Sequence, residues 1–182
     1  MIKLQFLQII SVFLTALFIT TQASSRSSVQ NFELGKEWQK SSGDWGLGDG
    51  TWKLKSNKDI YVTAMSHDLI YSDAELEPAK VKDVLLEMTK GRNAALGLMG
   101  INDWHITGNS LKKEKNQTLL TIEGGYHDTH SKPVEFKEVH IWKKQKYETL
   151  MINYPADTKF GSSEKSTQVL NRFISSVSEG GK

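Results

Sequence analysis

The apolar positions of this chain change period along its length, and each change marks an element. Thr51-Trp-Lys-Leu-Lys55 alternates polar and apolar residues, Ser56-Asn-Lys58 is a turn, and Asp59-Ile-Tyr-Val-Thr-Ala-Met65 is rich in β-branched residues. This predicts two short strands joined as a hairpin. Upstream, residues 31–50 carry Trp38 and Trp45 among glycines 43, 46, 48 and 50, which read as tight turns rather than an element. Past the hairpin the period becomes helical: Val81, Val84, Leu85 and Met88 stand at i, i+3, i+4 and i+7 behind Pro78, which suits a first helical turn. Gly91 weakens that helix, and Gly97 with Gly100 stops it.

From Asn102 to Pro155 the pattern is β again. Trp104-His-Ile106 opens a run that turns at Lys112–Asn116, continues as Gln117–Ile122, turns around His127–Lys132, and continues as Val134–Trp142. Lys143-Lys-Gln-Lys146 is a polar tip, and Tyr147–Tyr154 returns. Consecutive strands with short connections are antiparallel and form a meander. Leu119 with Leu120, Ile141 with Trp142 and Leu150 with Met151 place apolar groups on both faces, so the sheet is expected to be covered on one face and partly exposed on the other. The last element is a helix capped by Ser162 and Ser163, with Val169, Leu170, Phe173, Ile174 and Val177 on one face and Gly180-Gly181 as its stop. Hairpin, helix, meander, helix gives an α+β fold: an antiparallel β-sheet packed against two amphipathic helices.

The N-terminus follows another rule. Lys3 precedes an apolar run of 17 residues, Leu4 to Thr20, and Thr21-Gln-Ala23 offers small residues at a cleavage site. A basic start, an apolar middle and a small-x-small exit read as a signal peptide over residues 1–23. The competing reading is an uncleaved anchor. The run sits at the short edge of spanning length, carries Gln5, Gln8, Ser11 and Thr15, and has no basic stop-transfer cluster behind it. Residues 24–31 are expected as a flexible lead-in, 32–178 as a single domain and 179–182 as a tail. Location is therefore expected to be periplasmic or extracellular, with no stable membrane insertion after cleavage.

Composition narrows the classes. The chain has 182 residues, no cysteine, and 23 basic against 21 acidic side chains. A core without disulfides must carry the stability, and a lipid-modified cysteine is excluded. Mixed charge of near-zero sum leaves no electrostatic footprint for nucleic acid, and Lys112-Lys113-Glu-Lys115 reads as a solvated hairpin tip.

Trp38 ahead of the hairpin, the Val81–Met88 helix, the meander ending Leu150-Met-Ile-Asn-Tyr-Pro155 and the closing Gln168-Val-Leu-Asn-Arg-Phe-Ile-Ser175 follow one another in an order that resembles the Mog1/PsbP-like superfamily. The resemblance covers most of the chain after Phe32 and rests on element order rather than on a motif. It implies an antiparallel sheet sandwiched by helices, and a non-enzymatic accessory protein of the bacterial envelope that binds another envelope protein or a small ligand. No catalytic or cofactor residue carries over.

Three local clusters remain. His127-Asp-Thr-His130 sets two imidazoles and a carboxylate within four residues, with His140 able to approach across the hairpin. That is the donor set of a Zn²⁺ or Cu²⁺ site, and it carries the alternative reading of a metal-dependent or hydrolytic periplasmic enzyme, although the helical spacing of a zincin is missing. Gly43-Asp-Trp-Gly-Leu-Gly-Asp-Gly50 lacks the Lys-Ser/Thr of a phosphate loop and reads as a tight turn. Within it Trp45, with Asp49 and Trp52 beside it, is the expected partner surface, because tryptophan is enriched at binding hot spots. No serine-nucleophile elbow, cysteine nucleophile or His-Glu-x-x-His occurs, and no cofactor motif.

Overall fold

Strands with alternating or doubly apolar patterns must bury their apolar faces, and here one sheet does so on both sides. The structure, a computed structural model, describes residue 29 and residues 32–41, 50–68, 78–143 and 146–179. The expected signal segment, Trp45, Asp49, the Lys144-Gln145 tip and residues 180–182 lie outside the described residues. Among those described, β1 (Trp38–Ser41), β2 (Gly50–Leu54), β3 (Asn57–Asp68), β4 (His105–Glu114), β5 (Gln117–His127), β6 (Pro133–Lys143) and β7 (Lys146–Pro155) form a seven-stranded sheet in the order β1-β2-β3-β7-β6-β5-β4. Every pairing is antiparallel. The expected hairpin and meander are both present, and β3 pairing with β7 joins them. β1 is an addition: the stretch around Trp38 was expected only as turns, but Trp38 pairs opposite Leu54 and buries its ring against Phe160.

Two helices cover the two faces. A 3-10 turn at Pro78–Lys80 leads into α1 (Val81–Gly97), which runs through Gly91 and ends where expected. Gly100 at φ 84° reverses the chain so that the Ile101 N–H reaches the Leu96 carbonyl at 3.0 Å. α2 (Glu164–Glu179) begins at Ser163, whose Oγ accepts the Ser166 N–H at 3.4 Å. At its other end the Lys143 ammonium donates to the Val177 and Ser178 carbonyls at 2.8 and 3.1 Å, a cation on the negative end of the helix.

Parity along the strands separates the two cores. Ile60, Val62, Ala64, Val139, Ile141, Leu150 and Ile152 point to α2 and pack with Val169, Phe173 and Val177. Phe32 joins them edge-to-face with both Trp52 and Phe173. Val29, from the lead-in expected to be flexible, is instead fully buried in this core. On the opposite face Leu120, Ile122 and Phe136 meet Val84 and Met88 of α1, with Trp104 stacked on Phe136 at 4.8 Å. Gly124 leaves room there, since a Cβ at that position would run into the Phe136 ring and the His105 carbonyl.

Candidate functional site

The α1 face of the sheet is apolar over β5 but carries a band of polar side chains along β6, β7 and β3. Glu138 and His140 stand on β6 and Tyr147, Thr149 and Asn153 on β7, all buried. His140 lies directly opposite Thr149, and Trp142 opposite Tyr147. Arg92 reaches in from α1, its guanidinium 5.6 Å from the Trp104 ring centre and 3.2 Å from Glu138 Oε1.

These groups form a chain. Tyr147 O–H lies 2.6 Å from His140 Nδ1, and His140 Nε2 lies 2.9 Å from Glu138 Oε2, which also accepts from Arg92 at 3.4 Å. Burial alone would push Glu138 up; the Arg92 charge and the His140 N–H outweigh it and hold the carboxyl below its usual range. Burial, reinforced by the Glu138 charge, pushes the Tyr147 phenol far above its ordinary value. Carboxylate and phenol thus hold the imidazole from both ring nitrogens, Nε2 against Glu138 and Nδ1 against Tyr147. The array has the composition of a proton relay but not its access, since Glu138 is 1% and His140 0% exposed.

A second group sits further along the same face. Tyr126 O–H donates to Asn153 Oδ1 at 3.2 Å and lies 3.3 Å from the Tyr61 hydroxyl. Asn153 Nδ2 and Thr149 Oγ1 are buried without a hydrogen-bond partner. Burial raises the Tyr61 phenol and raises Tyr126 still further, so both remain protonated at neutral pH.

The expected histidine cluster does not converge. Asp128 Oδ1 accepts the His130 and Lys132 N–H groups at 2.8 and 2.9 Å, closing the β5–β6 turn in which Ser131 takes φ 59°. Its carboxylate is therefore committed to the backbone. His127 turns to Asp103 instead: its N–H donates to Oδ1 at 2.9 Å and its Nδ1 meets Oδ2. The His127 N–H bonds pull the Asp103 carboxyl below its usual range. His105 Nδ1 sits 2.8 Å from the Asp103 carbonyl, so two imidazoles share one anchor. His140 does not approach them, because it pairs opposite Leu120 while His127 pairs opposite Pro133, and the two point to opposite faces. Among the described residues no group of three or more His, Asp or Glu side chains is gathered to hold a metal ion.

Of the expected partner surface only Trp52 is described. It is 1% exposed, lies under the Lys40 ammonium at 5.4 Å, and packs in the α2-side core rather than facing solvent. The Arg92–Glu138–His140–Tyr147 array is what sequence reasoning missed. Its one signal is Glu138-Val-His-Ile-Trp142, a strand whose polar positions share a face with Trp142.

A surface groove lies elsewhere. An open groove of about 340 Å³ runs between α1 and the edge strand β4, lined by Leu85, Leu86 and Thr89 and by His105–Asn109. Asn93 fixes one end of it by bonding the Trp104 N–H and carbonyl at 2.9 and 2.8 Å.

No protein-family model matches the chain, and no curated protein matches it in sequence. Solved structures do. The solution structure of cyanobacterial PsbP (CyanoP) from Synechocystis sp. PCC 6803 superposes with a TM-score of 0.58, over 79% of this chain and 82% of that one. The chain has the Mog1/PsbP-like fold. Identity with CyanoP is 14%, so the likeness carries the arrangement of sheet and helices and assigns no residue. The crystal structure of LpqN, involved in cell envelope biogenesis of Mycobacterium tuberculosis, matches at a TM-score of 0.42 and 13% identity, over 81% of this chain and 78% of LpqN. Among the described residues no helix is long and apolar enough to cross a membrane.

Proposed function

We propose that this is an exported, non-enzymatic binding or accessory protein of the bacterial cell envelope. The observation that carries the reading is the sealing of the Tyr147–His140–Glu138 array: the relay-like group closest to catalytic composition is enclosed in the core, out of reach of a substrate. The His127 imidazole is engaged by Asp103, and the Asp128 carboxylate by the backbone of its own turn. The leader pattern of residues 1–23 supports export, and the absence of cysteine suits a core built without cross-links. Trp45 and Asp49 stay within the proposal as a partner surface.

The test is crosslinking of the tagged protein in its native envelope, followed by purification and mass spectrometry. Reproducible enrichment of one protein, reduced by Trp45→Ala, is the expected result. Full retention of that partner by Trp45→Ala removes the Trp45 surface, and absence of any specific partner overturns the binding role.

A further inference from the structure

Two exposed imidazoles stand over one end of the β4–β5 pair. His105 opens β4 and pairs opposite Gly125, and His127 follows Gly125 by two residues on β5. Directly opposed residues share a face, as do residues two apart on a strand, so both histidines belong to the face turned away from α1. The His105 ring reaches across toward β5: its Cε1 and Nε2 lie 3.6 and 3.9 Å from the place a Cβ on Gly125 would take. Gly125 has no side chain, and that space is left to the imidazole.

Asp103 holds both rings by the same nitrogen. Its backbone carbonyl lies 2.8 Å from His105 Nδ1, and its Oδ2 meets His127 Nδ1. A carbonyl oxygen has no proton to give, and the Asp103 carboxyl is drawn below its usual range by the His127 hydrogen bonds, so both oxygens accept. Nδ1 is therefore the N–H of each ring, and Nε2 is the nitrogen left to bind. Among the described residues neither Nε2 has a hydrogen-bond partner. An imidazole whose far N–H is held by a carboxylate or a backbone carbonyl is the usual arrangement of a metal-ligating histidine, because the outer contact orients the ring and raises its basicity. Asp103 itself stands behind the rings, with Oδ1 committed to the His127 backbone N–H.

We infer that His105 and His127 form a two-imidazole site for a divalent transition metal ion, bound through the two Nε2 atoms, with water in the remaining positions and Asp103 as the outer anchor of both ligands. Imidazole pairs favour Cu²⁺ over Ni²⁺ and Zn²⁺, and offer nothing to Mg²⁺ or Ca²⁺, which take oxygen ligands. The rings need only turn toward each other on an open face, since both are exposed. The site uses neither Asp128 nor His130, and it stands independently of the partner-binding role proposed above.

The experiment titrates Cu²⁺, and in parallel Zn²⁺ and Mg²⁺, into the purified protein made without a polyhistidine tag, read by calorimetry and by the histidine ring resonances in NMR. One Cu²⁺ per chain is expected, with His105 and His127 broadened before His130 and His140, weaker Zn²⁺ binding and no heat from Mg²⁺. His105→Ala and His127→Ala should each weaken Cu²⁺ binding about tenfold or more at an unchanged unfolding midpoint. The double variant should lose little beyond either single one, because a lone imidazole cannot chelate. Asp103→Asn should weaken binding about tenfold and shift the His127 ring nitrogen resonances of the metal-free protein, a change that a merely structural role would not produce. His130→Ala should bind as the parent does. Absence of a stoichiometric Cu²⁺ site, full binding by either single histidine variant, or loss of binding in His130→Ala overturns the inference, and parental binding by Asp103→Asn overturns the anchoring role.

Discussion

Glu138 and His140 share one face of β6 and meet through a 2.9 Å hydrogen bond with neither side chain reaching solvent. Arg92 closes the arrangement from α1, so a carboxylate, an imidazole and a guanidinium are bound together in an interior that would reject any one alone. Removing the central charge strands the other two.

Glu138→Gln is therefore expected to cost about 3 kcal/mol at neutral pH in urea unfolding. The folded carboxyl lies below its unfolded value of 4.5, so its contribution is complete above that pH and is lost as pH falls through the folded value. The gap between the variant and the parent should close below about pH 4.5. A gap unchanged down to pH 3 would mean that Glu138 acts through shape rather than charge.

Phe173 is fully buried and meets the Phe32 ring edge-on at 5.3 Å. Phe173→Ala should destabilise by about 3–5 kcal/mol, through lost transfer energy and the cavity left under the sheet. A loss under about 1 kcal/mol in a urea melt would show that α2 does not anchor this face.

Gly124 lies beneath Phe136, which is stacked on Trp104. Gly124→Ala pushes a methyl group into the ring and the His105 carbonyl, and should cost about 1–3 kcal/mol with a change in near-ultraviolet circular dichroism from Trp104. An unaltered aromatic spectrum with parental stability would contradict the close approach.

Thr149 points an unpartnered hydroxyl into the interior opposite His140. Exchange for an isosteric methyl removes that polar group without a cavity, so Thr149→Val should raise stability by about 1 kcal/mol. A fall in melting temperature would show that the hydroxyl is satisfied, for example by a bound water.

The elements of this fold were legible where one physical signal dominated. The Val81–Met88 stripe, the meander and the α2 stripe each carry an unbroken period, and each appears close to its expected place. β1 was not legible, because Trp38–Ser41 has one apolar residue and becomes a strand only by pairing with β2. The site was less readable than the fold. His127 and His130 look like a pair in sequence, yet Asp128 spends its carboxylate on the turn and Asp103, 24 residues away, captures His127. Glu138 and His140 look solvent-facing in an alternating strand, and only α1 arriving over that face, with Arg92 aboard, makes them interior. Burial of a polar strand face is a tertiary property that local period does not encode.

The seam between β3 and β7 also sets an order of assembly. Tyr61 pairs with Asn153 and Asp68 with Lys146, so two strands at the centre of the sheet come from distant parts of the chain. The β2–β3 hairpin and the β4–β7 meander can each form from near neighbours, but neither has its apolar face closed until they dock and α2 settles across both. Contacts of such long span are slow to form, because the loop-closure entropy is lost before they repay it. Synthesis from the N-terminus delivers α2 after all seven strands, so a nascent chain carries the α2 face of both half-sheets open until that helix arrives, and shortening the helix would expose that whole face rather than merely fray one end.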